Sequence, residues 1–273
     1  MTDHTSRLNV QLYSVRDLIG TPGLFAKNHE HVLRSLVMMG YTGVEAISYD
    51  DGWFSGLAPE EFRKTVNDAG LELVSSHVIR MLSEQELASG DFSEALEWWD
   101  KCISAHKKAG IPRLVMCYSQ ELHTKAGLEC MTAYLNAIGL RCNEAGIRFG
   151  YHNHSHEFKE IDGTTMLDHF IMNTDPEKVF FELDVYWAKV AGTDPAEYMT
   201  RYPGRFEILH IKDEHEVGRS GMMDFDSIFL NLDKAGTRIL VVEMEEPSTS
   251  DSLEGLRESA EVVLSLIERF KNN

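Results

Sequence analysis

Along this chain, stretches whose apolar residues recur every three or four positions give way, at a glycine, to short runs of aliphatic and β-branched residues. The change occurs at Met39-Gly40 before Tyr41-Thr42-Gly43-Val44-Glu45, and at Ala69-Gly70 before Leu71-Glu72-Leu73-Val74. It returns at Ala109-Gly110 before Ile111 to Met116, at Ala145-Gly146 before Ile147 to Tyr151, and at Ala235-Gly236 before Thr237 to Val242. Glycine takes the left-handed conformation just past a helix end, and the runs that follow have the composition of buried parallel strands. Each joint therefore reads as helix, glycine cap, strand.

Three further strands fit at Leu8 to Leu12, Val179 to Leu183 and Phe206 to Ile211. Helical periodicity fills the gaps: Leu24 to Met38, Glu61 to Asp68, Phe92 to Lys108, Met131 to Glu144, Met166 to Met172, Pro195 to Arg201, Phe225 to Lys234 and Leu253 to Phe270. Strict alternation of eight strands with eight helices implies parallel strands joined by right-handed crossovers. The expected fold is α/β, a single (β/α)8 TIM barrel spanning residues 1–273 as one domain. An open doubly wound sheet is the alternative. It is disfavoured because Gly20 and Gly23 do not form a G-x-G-x-x-G turn after the first strand.

Composition narrows the setting. The 273 residues are 43% hydrophobic and carry 26 Lys+Arg against 44 Asp+Glu, a net charge of −18. That charge repels phosphate backbones and anionic lipid surfaces, and Lys107-Lys108 with Arg113 is too small a basic patch to overcome it. Neither nucleic acid nor membrane is expected as a partner, and no apolar run reaches the roughly 18 residues of a membrane span. Met1 to Arg7 does not read as a signal peptide. Cys102, Cys117, Cys130 and Cys142 show no C-x-x-C spacing; they read as reduced thiols, each in a different element, of a cytoplasmic protein.

In a barrel of this kind the chemistry sits where strands end. The first strand carries Gln11, the second ends on Glu45, the third on His77 and the fourth on Cys117-Tyr118. The fifth ends on His152-Asn153-His154, the sixth on Asp184, the seventh on His210 followed by Lys212-Asp213, and the eighth on Glu243. Carboxylates and imidazoles on four consecutive strands make a metal site, with His152, Asp184, His210 and Glu243 as ligands. Mixed oxygen and nitrogen donors without thiolate point to Mn²⁺, with Mg²⁺, Co²⁺ or Zn²⁺ as alternatives. Glu157 offers a second candidate ligand, or a substrate contact, from the following loop. His154 reads as a substrate contact or acid/base, and His77 as a general acid/base or a core histidine. Lys212 would bind an anionic or keto oxygen or pair with Asp184 or Glu243, Glu45 would bond a substrate hydroxyl or pair with a neighbouring strand's cation, and Trp187 would offer its face to a sugar ring or cap the barrel core. His156 is expected to face solvent.

Taken in order, these strand ends resemble the xylose isomerase-like TIM barrel superfamily, in its sugar phosphate isomerase/epimerase branch. The resemblance rests on Val10-Gln11-Leu12-Tyr13-Ser14-Val15-Arg16-Asp17, Gly43-Val44-Glu45, Tyr151-His152-Asn153-His154 with Glu157-Phe158, Glu182-Leu183-Asp184-Val185-Tyr186-Trp187, His210-Ile211-Lys212-Asp213 and Val241-Val242-Glu243. It implies a divalent metal held by Glu, Asp, His and Glu, the two glutamates doubling as acid and base. Asp184, His210 and Glu243 match three of these positions. His152 stands where the first glutamate is usual, and Trp187 where epimerases often carry a second histidine. The run Tyr-His-x-His is similar to that of inosose dehydratases and 3-keto-sugar lyases.

The expected activity is that of a divalent-metal-dependent sugar isomerase, epimerase or related lyase. Its substrate would be a sugar, keto-sugar or cyclic polyol, its intermediate an enediolate, and His154, His77, Glu243 and Lys212 the candidate catalytic groups. Elimination of the 3-keto-glycoside lyase or inosose dehydratase kind is one alternative, and a non-catalytic sugar-binding barrel another. An abasic-site endonuclease, also found in the superfamily, is disfavoured by the charge. The partner is a small carbohydrate; a homo-oligomer is compatible with the sequence.

Overall fold

In the computed structural model, which describes residues 7–271, all five joint glycines have the left-handed conformation, with φ of 97° at Gly40, 96° at Gly70, 69° at Gly110, 79° at Gly146 and 80° at Gly236. The strand that follows each is buried. Eight strands result: β1 (Leu8–Gln11), β2 (Gly43–Ala46), β3 (Glu72–Val78), β4 (Arg113–Met116), β5 (Arg148–His152), β6 (Val179–Asp184), β7 (Phe206–Ile211) and β8 (Ile239–Val242). Each pairs in parallel with its sequence neighbours, and β8 returns to β1, with Leu8 opposite Leu240 and Val10 opposite Val242. The fold is thus a closed (β/α)8 barrel.

The outer ring is built from α1 (Pro22–Met38), α2 (Pro59–Asp68), α3 (Ser93–Ala109), α4 (Lys125–Ala145), α5 (Met166–Asn173), α6 (Pro195–Arg201), α7 (Phe225–Leu230) and α8 (Ser252–Phe270). Three sequence expectations change. The helix read over Phe225 to Lys234 breaks at Asn231 and resumes as Leu232–Ala235. Helix α4 begins six residues earlier than its apolar period suggests, because Thr124 caps it through the Gly127 amide. Cys130 and Cys142 consequently share one helix, correcting the expectation of one cysteine per element; all four thiols are free. Two hairpins, Tyr49–Asp50 with Trp53–Phe54 and Glu160–Ile161 with Thr164–Thr165, decorate the rim on Asp-Gly turns. Met1 to Ser6, most of the segment read as lacking a leader, lie outside the described residues. No helix among the described residues is long and apolar enough to cross a membrane.

The barrel interior is stratified. Val74, Val115, Phe180, Ile208, Ile239 and Val241 form an apolar layer of their own, separate from the larger core beneath the helices. Gly150 on β5 leaves the room that the Phe180 ring fills; a Cβ there would overlap it. Below this layer, a register shift between β6 and β7 makes Glu207 an extra residue. Its carboxylate takes the Arg113 Nε at 2.8 Å and the Arg148 Nη2 at 3.0 Å. Above the layer, Gln11, Glu45, His77, His152, Glu182, Asp184, His210 and Glu243 make the next inward side chains a buried polar cluster.

Candidate active site

On a strand, residues two apart face the same way. Glu182 and Asp184 on β6, His210 on β7 with Lys212 just beyond it, and Gln11 on β1 thereby enter the barrel above Phe180 and Ile208. A second register shift, between β2 and β3, adds one residue at Val74 and lets His77 turn inward as well.

These side chains make two tiers. In the lower, Glu182 Oε2 lies 2.5 Å from His77 Nε2, 3.0 Å from His152 Nδ1 and 3.2 Å from His210 Nε2. Glu45 Oε1 accepts from Gln11 Nε2 at 2.7 Å and faces His210 Nε2 at 2.7 Å and His77 Nε2 at 3.1 Å. In the upper tier, His210 Nδ1 is 3.2 Å from Glu243 Oε2, and Lys212 Nζ lies 3.1 Å from the same oxygen and 3.7 Å from Asp184 Oδ2. Lys212 also pairs with Glu245 and sits 4.9 Å above the Trp187 ring. All of these but Trp187 and Glu245 are buried.

Burial disfavours every charge here, and neighbours decide which charges survive. Burial raises Glu182, yet the His210 and His77 charges outweigh it and hold that carboxyl well below its usual range. Glu45, facing Glu182, is pushed up by burial and by that like charge. His77 and His210 are lowered by burial but carried well above the ordinary imidazole value by Glu45 and Glu182. Glu243 is kept well below its usual range chiefly by Lys212, against burial. Asp184, more isolated, goes up to about 6 through burial even though Lys212 is near. His154 falls to about 4, from burial and then the Lys212 charge, so its ring is neutral at pH 7.

Two sets of four donors have ligand atoms within 4.8 Å of one another: His152, Asp184, His210 and Glu243 above, and His77, His152, Glu182 and His210 below. The upper set is the one expected from the strand ends. Asp184 Oδ2 is buried without a hydrogen-bond partner, the state of an oxygen that a cation would complete. Hard oxygen and imidazole donors without sulfur suit a divalent metal, so the residues fit the group their order implies.

Over the upper set opens a cavity of about 280 Å³. His77, His152, His154, Glu243 and Glu245 form its polar wall; Tyr13, Ile47, Ile79, Tyr118 and Trp187 form the apolar one. Trp187 and Tyr118 pack against His154, with ring centroids 5.7 and 5.6 Å away. Gln11 and Glu45 lie in the lower tier, outside this lining. Glu157 is also outside it: its carboxylate receives the Tyr151 hydroxyl and the His154 amide, both at 2.8 Å, and burial lifts it to about 7. His156 is not solvent exposed as expected. The short 3-10 turn His156–Phe158 folds it back so that its ring reaches the Ser119 carbonyl at 3.1 Å, with 11% of the side chain accessible. Glu182 was not singled out from the sequence, although a charged residue inside Val179-Phe180-Phe181-Glu182-Leu183 is the signal that marks it.

Residues 33–266 match the xylose isomerase-like TIM barrel family, and this chain belongs to it. Within it the relationship runs to the sugar phosphate isomerases/epimerases. One such protein from Parabacteroides distasonis superposes with a TM-score of 0.84 at 32% identity, covering 95% of this chain and 93% of its own. An inosose dehydratase of Geobacillus kaustophilus is 23% identical over 227 residues, 74% of this chain and 68% of that enzyme. A 3-keto-D-glucoside 4-epimerase from E. coli shares the fold, with a TM-score of 0.68, 16% identity and coverage of 95% and 99%. The chain is thus a sugar isomerase/epimerase-type barrel with buried histidine and carboxylate clusters able to chelate a metal.

Proposed function

We propose that the mouth cavity is the active site of a divalent-metal-dependent enzyme that removes a proton beside the carbonyl of a keto-sugar or of the keto form of a cyclic polyol and forms an enediolate. The observation that carries this reading is the upper donor set, His152, Asp184, His210 and Glu243, gathered under a cavity of monosaccharide size. Such a metal, Mn²⁺ by the donor chemistry, supplies Lewis-acid stabilisation of the developing oxyanion. The protein's own groups supply the rest. His154, neutral at pH 7 and facing the cavity, is the base; Lys212, held cationic by Glu243 and Asp184, meets the oxyanion. Trp187, Tyr118 and Ile79 cover the apolar face of the ring and exclude water.

Elimination is the outcome that the first of these positions favours. With His152 where a glutamate is usual, the site has one metal-side glutamate and cannot place carboxylate acid and base on opposite faces of the substrate. A single imidazole base beside a lysine suits proton removal followed by loss of a β-substituent, and the similarity to an inosose dehydratase supports the same direction.

The test strips metal with a chelator, assays ketoses, inososes and 3-keto-glycosides, and adds back Mn²⁺, Mg²⁺ or Co²⁺. Restored turnover with new near-ultraviolet absorbance from a conjugated carbonyl supports elimination; restored turnover without it supports isomerisation or epimerisation. Turnover indifferent to chelation, with no metal by elemental analysis, defeats the reading. Sugar binding without metal or turnover would instead favour a non-catalytic barrel.

A further inference from the structure

We propose that Glu182 is a positioning residue that turns one ring nitrogen of His152 and one of His210 towards the mouth, so that the upper donor set, and not the lower, takes the metal. The inference rests on the metal reading above and adds to it a residue and a choice between two sites.

An imidazole that ligates through one nitrogen carries its proton on the other, and the partner of that N–H fixes which is which. His152 and His210 stand on β5 and β7, the two strands flanking β6, and Glu182 projects between them one pleat below Asp184. His152 directs Nδ1 at Glu182 Oε2, 3.0 Å away. His210 directs Nε2 downward at Glu45 Oε1, 2.7 Å, and at Glu182 Oε2, 3.2 Å. With protons on those nitrogens, each ring donates to a buried carboxylate. The lone pairs of His152 Nε2 and His210 Nδ1 are then left for the mouth, and an ion there would replace the proton that His210 Nδ1 otherwise donates to Glu243 Oε2 at 3.2 Å.

The lower set competes for the same two rings. An ion there would need the lone pairs of His152 Nδ1 and His210 Nε2, and the rings would then present N–H groups to Asp184 and Glu243. Hydrogen bonding separates the two. Each set has two members on the cavity wall, His152 and Glu243 above and His77 and His152 below, but in the lower set all three ring nitrogens already converge on Glu182 Oε2, at 2.5, 3.0 and 3.2 Å. His77 closes the lower tier, its Nε2 at 2.5 Å from Glu182 and 3.1 Å from Glu45. A histidine nitrogen already shared by two carboxylates would have to give up both contacts to ligate an ion placed there.

The experiment measures metal stoichiometry and affinity by competition with a chromophoric chelator, and reads ring tautomers by ¹⁵N NMR of the Zn²⁺-loaded, histidine-labelled protein. The wild type should hold one ion per chain, with His152 protonated at Nδ1 and His210 at Nε2. Glu182→Gln should weaken binding by about 10–100-fold, the loss typical when a carboxylate behind a ligating histidine is removed, and should mix the tautomers. The wild-type spectrum stands as evidence even if the variant does not fold. Two ions per chain, His210 ligating through Nε2, or unchanged affinity in Glu182→Gln each overturn this proposal while leaving a metal enzyme intact. A wild type that takes up no metal overturns both.

Discussion

The two ends of the barrel treat buried charge in opposite ways. At the base, Glu207 meets two arginines in short hydrogen bonds, and their charges, against its partial burial, lower its carboxyl below the usual range. At the mouth, Glu45, Glu182 and Asp184 each keep one oxygen that is buried and unpartnered, and Asp184 is pushed up to about 6. Both ends are closed off from each other by the same apolar layer. The base therefore reads as a group whose folding contribution is already complete, and the mouth as one left incomplete until something binds. A closed parallel barrel separates stability at one end from chemistry at the other, and here the electrostatics mark which end is which.

The contrast can be broken most severely at the upper donors. Asp184→Ala or Glu243→Ala should abolish metal retention through dialysis, measured by elemental analysis, with Glu243→Ala also lowering the thermal midpoint because it leaves the buried Lys212 and His210 short of a partner. A variant that still holds one ion per chain would show that the ligands lie elsewhere.

A titration sharpens it next. Glu157 near the mouth is raised to about 7, chiefly by burial, whereas unfolded it titrates near 4.3. Between those values the folded state holds a proton that the unfolded state has lost, so stability falls as pH rises from about 4 to about 7. Glu157→Gln should flatten that slope, a difference on the order of 2–3 kcal/mol across the window by urea denaturation. Equal slopes in the two proteins would show that Glu157 is not held protonated.

Between the two ends, Gly150→Ala would press a methyl group into the Phe180 ring. A loss of roughly 1–3 kcal/mol is expected from such overpacking, with metal stoichiometry unchanged because the layer carries no donor. At the base, Glu207→Gln should lose about 1 kcal/mol at pH 7, a modest figure because Arg113 and Arg148 remain partly exposed to water. Its carboxyl is depressed on folding, so the contribution is present above the unfolded value and fades as pH falls through the folded one. Wild type and variant should converge in acid, the reverse of the behaviour at Glu157.

The glycine joints were legible because a helix end followed at once by an apolar run leaves few alternatives; all five are left-handed, and six of the eight helices keep their expected extent within a few residues. The rim hairpins carried a readable Asp-Gly turn at Asp51-Gly52 and at Asp162-Gly163, but strands of two residues have no periodicity to see. Asp184, His210 and Glu243 could be picked out because they end strands. Glu182 escaped because that rule looks only at the last residue, whereas a polar tier inside a barrel is filled by the residue two earlier on the same face. The placement of His156 depended on a 3-10 turn and on Ser119, far away in sequence, and no local pattern encodes such a contact.

The apolar layer of Val74, Val115, Phe180, Ile208, Ile239 and Val241 also has a consequence for traffic. Above it the barrel is a vessel whose described mouth lies between Ile79, Tyr118 and Trp187, a passage that ions and substrate would share under the proposed function. Whatever enters last corks the vessel. On that reading, until product left, the protons on the five titratable lower-tier side chains, Glu45, His77, His152, Glu182 and His210, would be a fixed stock, and any that the reaction consumed would have to be returned from within.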